Sequence, residues 1–388
     1  MNNMSILFVN NLYPLFDNGD SGASNRSTMF ITALATIGHV DVVSFISDQQ
    51  SSVTNCDVIY SQDCPSLKEN GRLGKFLKLL RPWDINAIFP LNKEKERIID
   101  DYVCKNGYDI IAVRYINEAA ECGLLKYADR LLLDLDDNPY KASMNAAQTA
   151  RTLRNRIYSY IYAHELKWQL ERATKNVYRI FYSNPMEKTV KKSIYLHNVA
   201  MCDYPLPDIS DETPLQVLVI GTWHYAPNRD GIRHFLQNVY PKVREQLPEI
   251  NLRIVGRIYD DALREELSRE QNVTLVGYAQ DLTEEYANVR MAIVPLYSGS
   301  GTSIKLLEAM CINRACISTA QGARGMDGIL RPDVDYMYVA DDAQFAEKII
   351  GTITDVHKCN ELAHNALKAI DAHLSKTKFV EIVKEAVI

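Results

Sequence analysis

The chain has 388 residues, of which 47% are hydrophobic and 24% are charged, and its formal net charge is -6. This length exceeds what one ordinary hydrophobic core accommodates, so two domains are expected, and the acidic balance argues against general nucleic-acid binding. The 8 cysteines form neither a CxxC pair nor a Cys/His cluster, which favours buried free thiols in a reducing compartment over zinc sites or disulfides.

The N-terminal residues predict a first strand and not a targeting segment. Residues 1–14 lack a basic region, and the apolar run within 5–10 ends after a few residues. No other run approaches the ~20 apolar residues that span a bilayer. The sequence therefore predicts a cytoplasmic protein and leaves open peripheral contact with the inner face of a membrane.

The first half of the chain begins with a β-loop-α-β pattern. A buried strand is followed by a polar loop, a helix that ends at Gly38 and a second strand, at 5–10, 17–25, 26–37 and 39–45. This unit is the building block of a parallel sheet. Further strands are predicted at 58–60, 109–113, 131–135 and 179–182.

Residues 68–105 mix lysines and arginines with apolar side chains, among them Phe76 and Trp83. A basic amphipathic stretch of this kind can lie on an anionic membrane, which would suit a lipid-linked substrate. The pattern fits equally well a solvated helix face that covers a core.

The strand and helix pattern starts again in the second half. A strongly apolar strand ends in Gly221-Thr222 and leads through a loop into a helix at 230–246, and further strands are predicted at 252–255, 273–276, 291–294 and 315–318. Residues 204–214 contain three prolines and are predicted to be a linker.

The predicted layout is a domain at 1–203, a second domain at 215–372 and a C-terminal helix at 373–388 that packs back toward the first domain. Alternation of strands and helices in both halves indicates an α/β protein with two doubly wound Rossmann-like domains facing a central cleft.

The most informative motif is PLYSGSGTSIKLLEAM at 295–310. A strand, a small-residue loop and a helix start aim backbone N–H groups and a positive helix end at one point, which suits a phosphate or pyrophosphate. Lys305 adds a charge, and Glu308 adds an acceptor for sugar hydroxyls. The motif is not a Walker A loop, although glycine also serves ordinary turns. It predicts a nucleotide diphosphate ligand.

Other candidate residues follow predicted strands. His224 and Asn228 flank a strand-end loop and would contact the ligand or cap the loop. Gly22 would let the backbone approach a ligand closely, and Arg114 ends an apolar strand. Three carboxylates end another strand, where they could cap a helix, bind a ligand or hold a metal: Asp134, Asp136 and Asp137.

Residues 215–330 resemble glycosyltransferase family 4, which has the two-domain GT-B fold. The resemblance is carried by IGTWHYAPNRDGIRHFL, by VGYAQDLTEEYANVRMAIVPLYSGSGTSIKLLEAM and by ISTAQGARGMDG. The first half is similar more loosely, through Gly19, Gly22, 38–40 and LLLDLDDNPY. The resemblance implies a retaining, metal-independent hexosyltransferase that needs no cofactor besides its nucleotide diphosphate sugar.

In that family the C-terminal domain binds the donor and the N-terminal domain binds the acceptor. The resemblance implies that Glu308 binds the ribose, that Lys305 counters the diphosphate charge, and that a small-residue loop cradles the sugar and diphosphate: Gly299, Ser300, Gly301, Thr302 and Ser303. Arg114 and Asp137 are acceptor-side candidates. The implied acceptor is a glycan or a polyprenyl-linked glycan, as in bacterial surface polysaccharide assembly.

The chain also departs from the family pattern. Many members carry a paired-glutamate motif, and its first position falls on Ser300 here. Other members carry an Arg and a Lys after the first strand of the C-terminal domain, where this chain has Thr222 and Asp230. Lys305 would therefore supply the positive charge, with help from Arg229 or His224. Asp136 or Asp137 replaces a common His, which leaves either Asp136 or the donor phosphate to take the acceptor proton. The alternative function is that of a non-catalytic sugar-nucleotide-binding or scaffold protein on the same fold. A dehydrogenase is disfavoured, because neither half of the chain has a GxGxxG motif after its first strand.

Overall fold

The computed structural model describes residues 4–16, 22–65, 85–136, 139–150, 152–184, 193–200, 205–279, 281–299 and 302–388. The chain divides into two compact units. Unit 1 comprises Met1–Val199 and Lys376–Ile388, and unit 2 comprises Ala200–Ser375.

Unit 1 is built on a seven-stranded parallel sheet with the order β3-β2-β1-β4-β5-β6-β7. Its strands are β1 (Met4–Asn10), β2 (Gly38–Ser44), β3 (Cys56–Ser61), β4 (Ile110–Arg114), β5 (Leu131–Asp136), β6 (Arg179–Tyr182) and β7 (Ser193–Tyr195). The central strand β1 aligns Ile6 with Val40 of β2 and with Ile110 of β4. Both faces of the sheet are covered, which explains why its central strands are apolar without alternation.

The helices of unit 1 are α1 (Gly22–Ala35), α2 (Ile85–Ile88), α3 (Lys93–Asn106), α4 (Ile116–Glu121), α5 (Pro139–Thr149), α6 (Leu153–Ala173) and, from the C-terminus, α14 (Lys376–Val387), with a 3-10 helix at Leu124–Arg130. Local signals set their ends. The Asn92 side chain accepts from two backbone N–H groups at the start of α3, and Gly107 ends α3 with φ 62°.

Unit 2 is built on a six-stranded parallel sheet with the order β10-β9-β8-β11-β12-β13. Its strands are β8 (Gln216–Ile220), β9 (Asn251–Val255), β10 (Val273–Gly277), β11 (Met291–Val294), β12 (Ala315–Thr319) and β13 (Met337–Val339). Its helices are α7 (Ala226–Asn238), α8 (Tyr240–Gln246), α9 (Asp261–Ser268), α10 (Leu282–Ala287), α11 (Ile304–Cys311), α12 (Asp342–Ile353) and α13 (Val356–His373). The prediction of two doubly wound α/β domains is confirmed.

Several element boundaries differ from the sequence-based expectations. The helix expected at 230–246 is two helices, because the chain breaks at Val239 just before Pro241. The proline-containing segment predicted as a linker lies against unit 2: the Leu206 N–H donates to the Ile312 carbonyl at 3.1 Å, and Ile209 is buried in the core. Helix α14 begins at Lys376 and packs in unit 1, where Arg179 Nε donates to the Ala386 carbonyl at 2.8 Å.

The basic stretch predicted at 68–105 is described only from residue 85 onward, because 66–84 lie outside the described residues. In the described part, α3 buries Lys95, Ile99 and Val103. Lys95 Nζ lies 2.6 Å from Glu121 Oε1, so this lysine is an internal ion-pair partner. Helix α3 therefore matches the alternative of a helix that covers a core.

Among the described residues no helix combines the length and apolarity needed to cross a bilayer. The described cysteines are free thiols, and most of them are buried. No cluster of three His, Cys, Asp or Glu side chains suited to a metal ion occurs in the part of the chain that the structure describes.

Candidate functional site

The candidate site in unit 2 lies where the strand order of the sheet reverses direction. Strand β8 pairs with β9 on one side and with β11 on the other. Ligands of open α/β sheets bind at the carboxyl ends of the strands beside such a reversal. The loops that follow β8, β11 and β12 all leave the sheet at this edge.

Glycines allow these loops to pack closely against their neighbours. A Cβ on Gly231 of α7 would collide with the Pro295 carbonyl oxygen, and a Cβ on Gly325 would lie 2.7 Å from Thr302 Oγ1. Gly325 also has φ +85°, which strains any other residue. Gly231 and Gly325 therefore let the loops after β11 and β12 pack more closely against their neighbours than any residue with a Cβ would allow.

The loop after β11 ends at the N-terminus of α11, which has no side-chain cap. Ser303 occupies the N-cap position with extended backbone angles, φ -81° and ψ 111°, but its side chain makes no capping hydrogen bond. Ser303 is 5% exposed, and its Oγ has no hydrogen-bond partner among the described residues. Because the first-turn N–H groups of a helix have no intrahelical acceptor, this end presents hydrogen-bond donors in a geometry that suits an anion.

Lys305 and Glu308 lie on the first two turns of α11 with their side chains half-buried. Within the described chain, neither side chain has a hydrogen-bond or ion-pair partner. Burial lowers the pKa of Lys305, the nearby Glu308 opposes this shift, and the charge of Arg324 adds to it. Burial raises the pKa of Glu308, against the effect of Lys305. Both groups thus lose hydration without gaining a direct partner, as expected of groups that bind a ligand.

Arg324 brings a second cation to the site and was missed by the sequence analysis. Its Nη1 donates to the Gln321 carbonyl at 2.7 Å, and Gln321 Nε2 donates to the Gly299 carbonyl at 2.8 Å. A Cβ on Gly299 would lie 3.6 Å from Arg324 Nη2. The signal in the sequence is one arginine within Gly-Ala-Arg-Gly, in the ISTAQGARGMDG segment that carries the family resemblance.

The loop after β12 is fixed by Thr319, whose hydroxyl donates to the Leu296 carbonyl and accepts from the Gly322 N–H at 3.0 Å. Gly299 itself has φ +120°, a conformation that side chains disfavour. Of the predicted cradle, Gly299, Thr302 and Ser303 lie at this edge. Ser300 and Gly301 lie outside the described residues.

Asn228 and His224 belong to the loop after β8. Asn228 is 5% exposed, and its Nδ2 donates to the Thr222 carbonyl at 3.0 Å, which is the capping contact expected as one alternative. Its Oδ1 is buried without a partner among the described residues. His224 is exposed, with its ring centroid 6.3 Å from that of Tyr259, and Arg229 Nη1 donates to the His224 carbonyl at 3.1 Å.

Exposed tyrosine rings border the same edge, one after each of four strands. They are Tyr225, Tyr259, Tyr278 and Tyr297, which follow β8, β9, β10 and β11. The Arg257 guanidinium lies 4.1 Å from the Tyr278 ring centroid. Flat aromatic and guanidinium groups of this kind can stack on a nucleobase.

In unit 1, the candidates Arg114 and Asp136 belong to a buried ion network. Arg114 Nε lies 3.0 Å from Asp134 Oδ2, and Arg114 Nη2 lies 2.6 Å from Asp136 Oδ2. Asp134 is also held by Arg26, with two contacts of 2.8 Å. Burial by itself raises the pKa of Asp134, but the two guanidinium groups outweigh this effect and lower it. Asp137 lies outside the described residues.

The network leaves no donor of Arg114 free for a substrate. A guanidinium carries five N–H groups. Those of Arg114 are directed at Asp134, the Ala23 carbonyl, Ser27 Oγ, the Tyr115 hydroxyl and Asp136. Arg114 therefore ties β4 and β5 to the start of α1, where Gly22 is the first helical residue.

Residues 214–355 match the model of the family described as "Glycosyl transferases group 1". Among solved structures, the chain is similar to a sucrose-phosphate synthase from Thermosynechococcus elongatus, with TM-score 0.70, 17% identity and 98% coverage of each chain. It is also similar to HepE of Anabaena in complex with UDP and glucose, with TM-score 0.64, 13% identity and 99% coverage of each chain.

The fold is GT-B. Another GT-B similarity is to WaaG, described as a glycosyltransferase involved in lipopolysaccharide biosynthesis, with TM-score 0.62, 15% identity and 98% coverage of each chain. A curated relative, the "Uncharacterized 44.6 kDa protein in cps region" of Klebsiella pneumoniae, is 22% identical over 372 residues, which cover 92% of this chain and 94% of that protein.

Proposed function

We propose that this protein is a retaining, metal-independent glycosyltransferase that moves a sugar from a nucleotide diphosphate sugar to a glycan or lipid-linked acceptor. The observation that carries this proposal is the N-terminus of α11. There the buried Ser303 Oγ has no hydrogen-bond partner among the described residues. Two positions further along the helix, Lys305 is a half-buried cation that forms no ion pair within the described chain.

The donor diphosphate would occupy the space in front of α11. The first-turn N–H groups and Ser303 Oγ would donate to phosphate oxygens, while Lys305 and Arg324 would supply positive charge from two different loops. These two charges would stabilise the diphosphate without a divalent ion. This arrangement would replace the Arg and Lys that some members of glycosyltransferase family 4 carry in the neighbourhood of Thr222 and Asp230.

The nucleoside would be held by Glu308 and by the exposed aromatic border. Glu308 can accept hydrogen bonds from two ribose hydroxyls, because its carboxylate has no other partner among the described residues. A ring such as Tyr278 could stack on the base. The HepE structure contains UDP and glucose, so UDP-sugars are the first donors to test.

In the transfer step, the bond from the sugar C1 to the leaving phosphate oxygen breaks, and a bond from C1 to the acceptor oxygen forms on the same face. Lys305 and Arg324 would stabilise the charge that develops on the leaving diphosphate. We assign the acceptor proton to an oxygen of that diphosphate. Asp136 Oδ2 accepts from Arg114 and Tyr115. Its Oδ1 has no hydrogen-bond partner among the described residues but lies 3.5 Å from Arg26 Nε. Two guanidinium groups therefore already balance the Asp136 charge, which makes Asp136 the weaker of the two candidate bases.

The biological setting proposed is bacterial surface polysaccharide or glycoconjugate synthesis on the cytoplasmic side of the membrane. The matched Klebsiella pneumoniae protein is encoded in a cps region, and WaaG is described as acting in lipopolysaccharide biosynthesis. These similarities support the setting and leave the acceptor to be identified.

A thermal-shift screen with UDP-, GDP-, dTDP- and ADP-sugars tests the donor site first. A donor present at 100 times its Kd should stabilise the protein by about 2.7 kcal/mol. Nucleotide release with that donor, in EDTA, then tests for metal-independent transfer, and NMR of the product anomer tests for retention. Binding without nucleotide release would indicate a sugar-nucleotide-binding protein that lacks transferase activity.

A further inference from the structure

Helix α6 exposes an apolar stripe that the described residues of unit 1 leave uncovered. Large hydrophobic side chains stand out into solvent along it: Leu153 is 71% exposed, Ile157 51%, Tyr160 51%, Ile161 47% and Trp168 45%. At about 100° per residue these positions, together with His164, fall within a sector of about 100° on one side of the helix. From Leu153 to Trp168 the stripe is roughly 22 Å long.

The opposite side of the same helix is already occupied. Ala163, Leu166, Gln169 and Leu170 are buried, and they lie on the face turned away from the stripe. The helix is therefore apolar on two sides, whereas a surface helix needs only one apolar face. The exposed stripe takes no part in the packing among the described residues of unit 1, which points to an external partner.

The charges that flank the N-terminal half of the stripe are positive, and over the whole of α6 Arg154, Arg156, Lys167 and Arg172 outnumber Glu165 and Glu171. Arg154 and Arg156 are exposed, and by helical geometry they flank the stripe on either side. Residues 139–164, which comprise α5 and the first half of α6, contain Lys141, Arg151, Arg154 and Arg156 but no aspartate or glutamate. This local excess of positive charge occurs in a chain whose net charge is -6.

We propose that this face of α6, defined by Leu153, Ile157, Tyr160, Ile161 and Trp168 with flanking Arg154 and Arg156, docks the protein on an anionic lipid bilayer. The helix would lie in the plane of the interface with its apolar side chains among the upper acyl chains. The arginines would reach the lipid phosphates. Tyr160 and Trp168 have amphipathic rings suited to the headgroup region. The docking surface thus differs from the stretch at 68–105 that the sequence suggested.

Vesicle flotation tests the proposal independently of transferase activity. The full chain is mixed with vesicles of phosphatidylcholine containing 30% phosphatidylglycerol, or of phosphatidylcholine alone, at low and at physiological salt. We expect binding to the anionic vesicles that weakens with salt. Arg154→Gln with Arg156→Gln should lower the partition coefficient about 25-fold, at roughly fivefold for each charge near the surface.

Ile157→Glu with Ile161→Glu should abolish flotation, whereas Val334→Glu, an exposed apolar position in unit 2, should leave it unchanged. Circular dichroism and thermal unfolding of each variant show whether it is folded. Tryptophan emission provides a second readout: a blue shift on vesicle binding that disappears in Trp168→Phe supports insertion of α6.

Three results would overturn the proposal. The first is failure of the wild-type chain to bind anionic vesicles at low salt. The second is equal binding by the folded Ile157→Glu/Ile161→Glu variant. The third is a dimer in sedimentation velocity that this variant dissociates, without vesicle binding by the wild type. That outcome would assign the face to self-association.

Discussion

Replacing Lys305 by methionine should have opposite effects on stability and on catalysis. In the ligand-free protein Lys305 is half-buried, and burial together with the charge of Arg324 lowers its pKa. Methionine keeps a long apolar stem and removes a charge that has lost hydration without gaining a direct partner. We expect the variant to be more stable by about 1 kcal/mol, which corresponds to a rise in Tm of about 2–4 °C for a domain of this size.

The same substitution should strongly reduce transfer. With donor bound, Lys305 Nζ would make a charge-assisted contact with the diphosphate, which contributes about 1.5–3 kcal/mol in the ground state. The contribution grows as the leaving group gains charge, and removal of one such stabilising group typically costs about 2.7–4 kcal/mol. At about 1.36 kcal/mol per factor of ten, kcat should fall by roughly 10²–10³-fold. Arg324 would sustain the residual rate.

Thermal unfolding and nucleotide release, measured on one preparation, check both effects. Lys348→Met is the matched control, because Lys348 also lies in unit 2 but pairs with Asp333 at 2.5 Å; it should leave kcat unchanged. A Lys305→Met protein that loses stability while kcat stays at the wild-type value would refute the reasoning. Lys305 would then be a structural residue.

Three further predictions concern other charged groups. Arg324→Gln should lower kcat roughly tenfold in the release assay while leaving far-ultraviolet circular dichroism unchanged, because Lys305 keeps part of the diphosphate charge balanced. Asp134→Asn should destabilise the protein by about 3–5 kcal/mol in urea unfolding, because it removes the buried carboxylate that both Arg26 and Arg114 contact. Glu118→Gln should flatten the pH dependence of the free energy of unfolding. Burial raises the pKa of Glu118 to about 8, so the stability that the protonated carboxyl contributes is lost as the pH rises toward and through that value.

The controls for these variants use exposed groups. Asp261→Asn removes a carboxylate that lies 3.3 Å from Arg264 and is 92% exposed, so it should be nearly neutral where Asp134→Asn is not. For Glu118→Gln, urea unfolding should show that the free energy of unfolding of the variant, relative to that of the wild type, is higher at pH 9 than at pH 6. An equal difference at both pH values would contradict the assignment of proton uptake to Glu118.

Local features of this protein were predictable from sequence because they depend on short spacings. The apolar run before the Gly/Ser/Thr loop predicts a strand, and Lys305 and Glu308 after it mark a helix start. The structure places the strand at Met291–Val294 and the helix at Ile304–Cys311, as expected. Alternating apolar strands and helices likewise predicted two parallel sheets. The break between α7 and α8 was missed, although Pro241 marks it.

The partners of these local features were decided by tertiary structure. Arg324 reaches the α11 site because Gly322 and Gly325 allow one strand-end loop to lie on another, a relation that no short spacing encodes. Arg26 and Asp134, which form an ion pair, are 108 positions apart in the sequence. Arg114 has a structural role because the fold surrounds its guanidinium with five hydrogen-bond acceptors. The sequence alone determined which elements form and, to within a few residues, where they lie, since those depend on neighbouring side chains and backbone propensity. Which charges are paired, buried or left for a ligand depends on packing between distant segments, and only the folded chain decided that.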